Sequence, residues 1–202
     1  MRASLALGPP LPMRILLSLA LVTSSCASLP ELVPGGGDLR QHGDVHLGQR
    51  IFNAASSNCL DEQLNFGGDY SVWREDGLFG YDLGVAYHRD RETLPVVGRT
   101  VVEGYEVYGG LRKTFEIGGS DIRPYVGLGL TGWWADREEE TPSARDGNED
   151  GIGVYERIGA WMPIANNAFV GADLRFIQED FIQGGELDMD GHVISVVFGI
   201  SF

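Results

Sequence analysis

The sequence predicts an all-β chain, an eight-stranded antiparallel up-and-down barrel with a short N-terminal tether. Three observations carry this reading. Segment after segment alternates large apolar residues with small or polar ones, the period of two of an extended strand. The breaks between these segments alternate long and short to the end of the chain. The final stretch, residues 192–202 (HVISVVFGISF), puts His192, Ile194, Val196, Phe198, Ile200 and Phe202 on one face. Val193, Ser195, Val197, Gly199 and Ser201 fall on the other, mostly small face.

Near the N-terminus, Arg14 precedes an apolar run from Ile15 to Val22, and the small residues Thr23, Ser24 and Ser25 come before Cys26. A charged start, a short apolar centre and small residues at the end form an export signal, assigned to residues 1–25. The run is too short for a spanning helix of ~20 residues. Met13 can serve as an alternative start, because MRILLSLALVTSSC is a complete signal by itself. Two readings of Cys26 stay open. It is either the lipidated first residue of the mature chain, although Thr23 stands where such signals usually carry Leu, or a plain thiol able to pair with Cys59.

Residues 27–43 (ASLPELVPGGGDLRQHG) carry Pro and Gly without periodicity and read as a flexible tether, followed by the barrel over residues 45–202. The first and weakest strand is 45–53, with Val45, Leu47 and Ile51 facing out. In the second, Leu64, Phe66, Tyr70 and Val72 oppose Asn65, Gly67, Asp69 and Ser71. The third, 78–88, sets Phe79, Tyr81, Leu83, Val85 and Tyr87 against Gly80, Asp82, Gly84, Ala86 and His88. The fourth, 100–115, sets Val101, Tyr105, Val107, Leu111 and Phe115 against Gly104, Glu106, Tyr108, Gly110 and Arg112. In the fifth, 122–135, Val126, Leu128, Leu130 and Trp134 oppose Tyr125, Gly127, Gly129 and Thr131. The sixth, 152–162, and seventh, 168–178, place Arg157, Asp173 and Arg175 on the face of Gly153, Gly159 and Gly171. The terminal strand is the eighth.

The long connections are 54–63, 90–99, 138–150 and 179–191, and the short ones 74–77, 118–121 and 163–167. Membrane barrels have short turns on one side and longer loops on the other, and an even strand number with both termini on the short-turn side requires this order. No run of ~20 apolar residues follows the signal, so any span must be β. The 202 residues hold 15 Lys+Arg against 29 Asp+Glu, a net charge of −14, which disfavours nucleic acid as a partner. The 29 glycines cluster in the strands, as a narrow lumen demands.

A soluble barrel buries its apolar face, whereas a membrane barrel turns it outward. Here the polar face carries Asp69, Asp82, His88, Glu106, Arg112, Glu116, Arg157, Asp173 and Arg175. Both signs are present, so a lumen of paired charges with little open channel is expected. Tyr81, Tyr87, Tyr105, Trp134, Phe176 and Phe202 supply interfacial aromatic girdles on the other face. Glu103 and Glu156 fall on that same lipid side, which requires a rim position or a bulged register.

Chemistry-bearing motifs are few. Asp146, Asn148 and Asp150, followed by Gly151, match the first half of a calcium loop, but Arg157 stands where its bidentate Glu belongs. A solvated acidic loop accounts for them equally, and Glu138, Glu139 and Glu140 continue its acidity. No cofactor other than this calcium is suggested. His192 and Ser195 lie on opposite strand faces and cannot act together, so no catalytic residue is assigned.

With its strand period, its loop alternation, the segment RPYVGLGLTGWW and the closing Phe202, the chain resembles the small bacterial outer-membrane β-barrel proteins, the OmpA-like transmembrane barrels. The resemblance covers roughly residues 45–202 and implies a transmembrane β-barrel in a Gram-negative outer membrane. It implies periplasmic termini, extracellular long loops, and Phe198, Ile200 and Phe202 as the assembly signal read by the barrel-assembly machinery. Outer-membrane lipid and lipopolysaccharide are the partners it implies. The expected role is non-enzymatic, envelope-structural or surface-interacting, with at most minor, porin-like solute passage. A lipid A-modifying enzyme is one alternative, as some eight-stranded barrels of this kind are, but none of His42, His46, His88 and His192 has a Ser two residues on, as the deacylase pattern needs. A soluble periplasmic lipoprotein barrel with an apolar ligand is the other.

Overall fold

The computed structural model describes residues 33–35, 37–52, 62–94, 98–139, 147–183 and 190–202. Cys26, Cys59 and Asp146 lie outside them. Eight strands follow in chain order: β1 Leu39–Phe52, β2 Glu62–Arg74, β3 Gly80–Leu94, β4 Gly98–Thr114, β5 Arg123–Glu139, β6 Gly147–Pro163, β7 Ala168–Gln183 and β8 Gly191–Ser201. Each pairs antiparallel with its neighbour, and β8 returns to β1 to close the barrel. Closure leaves no unpaired edge, which lipid would not tolerate.

The register sets the shape. Following paired residues from Gln41 through Val72, Tyr81, Leu111, Leu128, Glu156, Phe176 and His192 returns to β1 at Ile51, a shear of ten residues. Eight strands staggered this much must tilt, by roughly 35–45°, and enclose an interior that side chains just fill.

The two faces separate, although Val72, outward by its pairing with Gln41 and Tyr81, is buried. Val45, Leu47, Leu64, Phe66, Leu128, Leu130, Ile158, Phe176, Ile194 and Phe198 are exposed on the outside. Arg50, Asp69, Asp82, His88, Glu106, Arg157 and Arg175 are buried inside. Tyr87 packs 5.2 Å from Tyr105, which stacks on Trp134 at 6.1 Å, forming part of one girdle. A soluble barrel would hide this apolar surface, so the outward band overturns the reading of a soluble apolar-ligand carrier.

Four expectations need correction. The first strand is not weak: β1 begins at Leu39, inside the expected tether, and His42, Asp44, His46 and Arg50 alternate inward along it. Val33, Gly37 and Asp38 are also held in place. Arg74 donates to Val33 O and Gly37 O, each at 3.3 Å, and Glu75 N donates to Asp38 O at 3.2 Å. Gly35 is required here, because its φ is +120° and a Cβ would lie 2.8 Å from the Gly77 Cα.

Second, β3 and β4 run through most of residues 90–99, which had read as a loop. Strands β3 to β6, at 15–17 residues, exceed the ~9–11 that cross a bilayer, so the barrel wall projects at the end away from the termini. Third, Glu116 is not in the lumen. It follows the end of β4, 76% exposed, and pairs with Arg123 at 2.7 Å.

Fourth, Glu156 is not at a rim. It faces out between Leu128 of β5 and Phe176 of β7, with Val154 and Ile158 flanking it on its own strand. The register irregularity of β6 and β7 falls between Ile152 and Val154, on the loop side, and does not turn Glu156 inward. Glu103 does sit by the girdle, 3.1 Å from Arg89.

Candidate functional site: the charged lumen

The lumen is filled in layers. At the end bearing the termini, the ring of His42 meets Trp73, Trp161 and Phe169, each with centroids 4.5 Å away. These side chains come from β1, β2, β6 and β7 and form an aromatic floor.

Above the floor, Arg157 reaches three carboxylates from three strands: Asp173 at 2.5 Å, Asp69 at 2.8 Å and Asp82 at 3.4 Å. Each carboxylate also accepts from a tyrosine. Tyr108 donates to Asp69, Tyr125 to Asp173 at 2.5 Å, and Tyr155 to Asp82 at 2.9 Å. Arg112 lies over the Tyr125 ring at 3.7 Å and donates to Ser71 at 3.3 Å. The layer thus supplies fixed donors to charges that could not otherwise leave water.

A further layer centres on Glu106, which takes Arg175 at 3.1 Å, Arg50 at 3.5 Å and Thr131 at 2.8 Å. Arg175 stacks on Tyr108 at 3.9 Å, linking the two layers. Phe52, Trp133 and Ala135 form a buried apolar cluster toward the loop end.

Glycine makes the packing possible. A Cβ on Gly84 would meet Asp69 Oδ1 and Tyr108 Cζ at 2.3 Å, and one on Gly104 would meet His88 Nε2 at 1.9 Å. The ring of His88 therefore lies against bare backbone.

The structure brings together Asp69, Asp82, Arg112, Arg157 and Asp173 in one layer, and Glu106 and Arg175 in the next. It adds Asp44, His46 and Arg50 from β1, which sequence reasoning missed. Their signal was present: with Val45 and Leu47 outward, even-numbered neighbours must face in.

Of the calcium-loop residues, Asp146 lies outside the described residues, while Asn148 and Asp150 belong to β6 and pair with Asp136 and Trp134 in extended backbone. Gly151, where a calcium loop turns sharply, instead makes room for the Trp133 indole. His192 faces out and Ser195 faces in. Phe198, Ile200 and Phe202 are exposed on the outer face, and Phe202 N donates to Gln41 O at 3.0 Å, extending the β8–β1 seam.

The sequence matches the family described as outer membrane protein beta-barrel domain over residues 17–202. The chain belongs to this family of outer-membrane β-barrels. It is similar in fold to Neisserial surface protein A, at TM-score 0.55 and 15% identity, covering 83% of this chain and 98% of that one. Ail, the attachment invasion locus protein of Yersinia pestis, gives TM-score 0.55 and 14% identity, covering 83% of this chain and 100% of that one. The N-terminal β-barrel domain of OprF from Pseudomonas aeruginosa gives 0.51 and 17%, with 83% and 100% covered. Among curated proteins, none matches the chain by sequence. At these identities the likeness concerns architecture. Family and outward apolar band together place this barrel in the bacterial outer membrane.

Proposed function

We propose that this outer-membrane barrel is a non-enzymatic, envelope-structural protein that interacts through its loop end and conducts little or nothing. The observation that carries the reading is the Arg157 clamp. One guanidinium ties β2, β3 and β7 to β6 across the lumen, where a conducting pore would leave water. A catalytic assembly would need a nucleophile beside its base, and in the Arg157 layer the carboxylates are instead taken up by a guanidinium and tyrosine hydroxyls.

In this reading the termini are periplasmic and the projecting walls of β3 to β6 are extracellular. Those walls carry charges of both signs, including Arg89, Glu103, Asp136 and Glu138, suited to lipopolysaccharide phosphates and their bridging cations. Export by residues 1–25, lipidation at Cys26, and recognition of Phe198, Ile200 and Phe202 by the barrel-assembly machinery complete the proposal.

Planar-bilayer recording on the refolded full chain tests it. Rare or absent conductance steps are expected. Frequent stable openings would replace the structural role with solute passage.

A further inference from the structure

Asp44 is the anomaly of the lumen. Asp69, Asp82, Glu106 and Asp173 each have a guanidinium within 3.5 Å. Among the described residues, no guanidinium lies within ion-pair distance of Asp44, 8% exposed, and no group donates a hydrogen bond to its Oδ1. What it has instead is a second carboxylate, Asp69, directly opposite on β2, and an imidazole, His46, two residues along its own face. One ligand atom from each of these three side chains falls within 4.8 Å of the others.

The imidazole geometry is informative. His46 Nδ1 lies 3.3 Å from Asp69 Oδ2, yet makes no hydrogen bond and is buried. Two atoms bonded at about 2.0–2.1 Å to one tetrahedral ion stand roughly 3.3–3.4 Å apart without pointing at each other. The space is built, too: Gly67 pairs with His46, and a Cβ there would lie 2.5 Å from Nε2. A buried carboxylate without a cation is costly, and a carboxylate pair without one more so.

We propose that Asp44, His46 and Asp69 hold a divalent cation of the zinc class inside the lumen, bridging the β1–β2 hairpin. One imidazole nitrogen and two carboxylate oxygens form a borderline donor set and leave a fourth position for water. Asp69 keeps its bonds from Tyr108 and Arg157, which orient it as a ligand's outer partners do. The aromatic floor lies on one side of the site and the Phe52–Trp133 cluster on the other, so the ion enters as the barrel closes and is then retained.

The test is refolding of the tag-free full chain with a Cys59→Ser substitution, in detergent, with Co(II) or Zn(II) present, followed by chelator and desalting. Heat-dependent gel mobility reports closure in every sample. The expected result is one metal per closed barrel, retained against chelator and released on boiling. With Co(II), absorption of a low-symmetry nitrogen–oxygen site should accompany it. Asp44→Asn and His46→Gln should each lower retained metal at least tenfold while keeping the heat shift. Should either variant fail to close, X-ray absorption on the Zn(II)-loaded parent decides, with one nitrogen and two or more oxygen neighbours expected at about 2.0–2.1 Å. A closed barrel that takes up no metal overturns the proposal, as does metal retained undiminished in closed variants. A doubly protonated His46 seen by nitrogen NMR after refolding with Zn(II) would also overturn it, the proton then filling the cation's place.

Discussion

Replacing Arg157 with Ala tests the packed lumen most directly. The substitution removes the guanidinium bonds to Asp173 at 2.5 Å, Asp69 at 2.8 Å and Asp82 at 3.4 Å. Each charge-assisted bond is worth ~1.5–3 kcal/mol. Their simple sum overstates the loss, because Tyr108, Tyr125 and Tyr155 still donate to the same carboxylates. Asp82 is also the weakest of the three, by distance. Breaking a buried pair by removing one partner costs ~3–5 kcal/mol, and that range is the expected loss. Arg157→Lys keeps the charge but loses the fork that reaches three strands, so about half the loss should return. The assay is reversible urea unfolding from lipid vesicles, followed by tryptophan emission, with the gel heat shift as a check on closure. A loss below ~1 kcal/mol for the alanine variant would refute the reasoning. It would mean that the lumen is wet enough for water to replace the guanidinium.

Four further outcomes follow from the same picture. Leu83→Arg should cost ~2–4 kcal/mol, since Leu83 faces lipid beside Tyr70 and Gly109; a change under ~1 kcal/mol would place it near an interface. Gly84→Arg should prevent the heat-shifted form altogether, because even a Cβ would meet Asp69 and Tyr108 at 2.3 Å; a normal shift would show that the lumen can yield. Glu156→Leu should raise stability in vesicles by ~1–3 kcal/mol, as a carboxylate leaves the apolar band; lower levels in cell membranes would instead reveal a partner that needs it. Deleting Phe202 should lower membrane-inserted protein in cells, and unchanged levels measured by membrane fractionation would remove its role at the β8–β1 seam.

The period of two determined most of the fold by itself. A strand side chain must point to one face or the other, so Phe79 to Tyr87, or Val193 to Ser201, declare their faces without tertiary information. Net orientation was equally legible, since charges of both signs on the glycine-bearing face can only be sheltered inside a barrel in lipid. Sequence could not say where a strand stops. Residues 90–99 read as a loop for their polarity, yet 90–94 of β3 and 98–99 of β4 pair backbone to backbone, which polarity does not reveal. Leu39 to Gly43 failed for the related reason that backbone pairing with β2 and β8, not side-chain pattern, holds them.

Which lumen charges pair was decided by the shear alone. Arg157 and Asp69 are far apart in sequence and meet because a stagger of ten residues brings their levels together across the lumen. The same stagger left Asp44 beside Asp69 with no guanidinium, and set Glu156 in the middle of an apolar band. Alternation fixes direction one residue at a time, whereas closure fixes height for all strands together, and only height determines which charges touch.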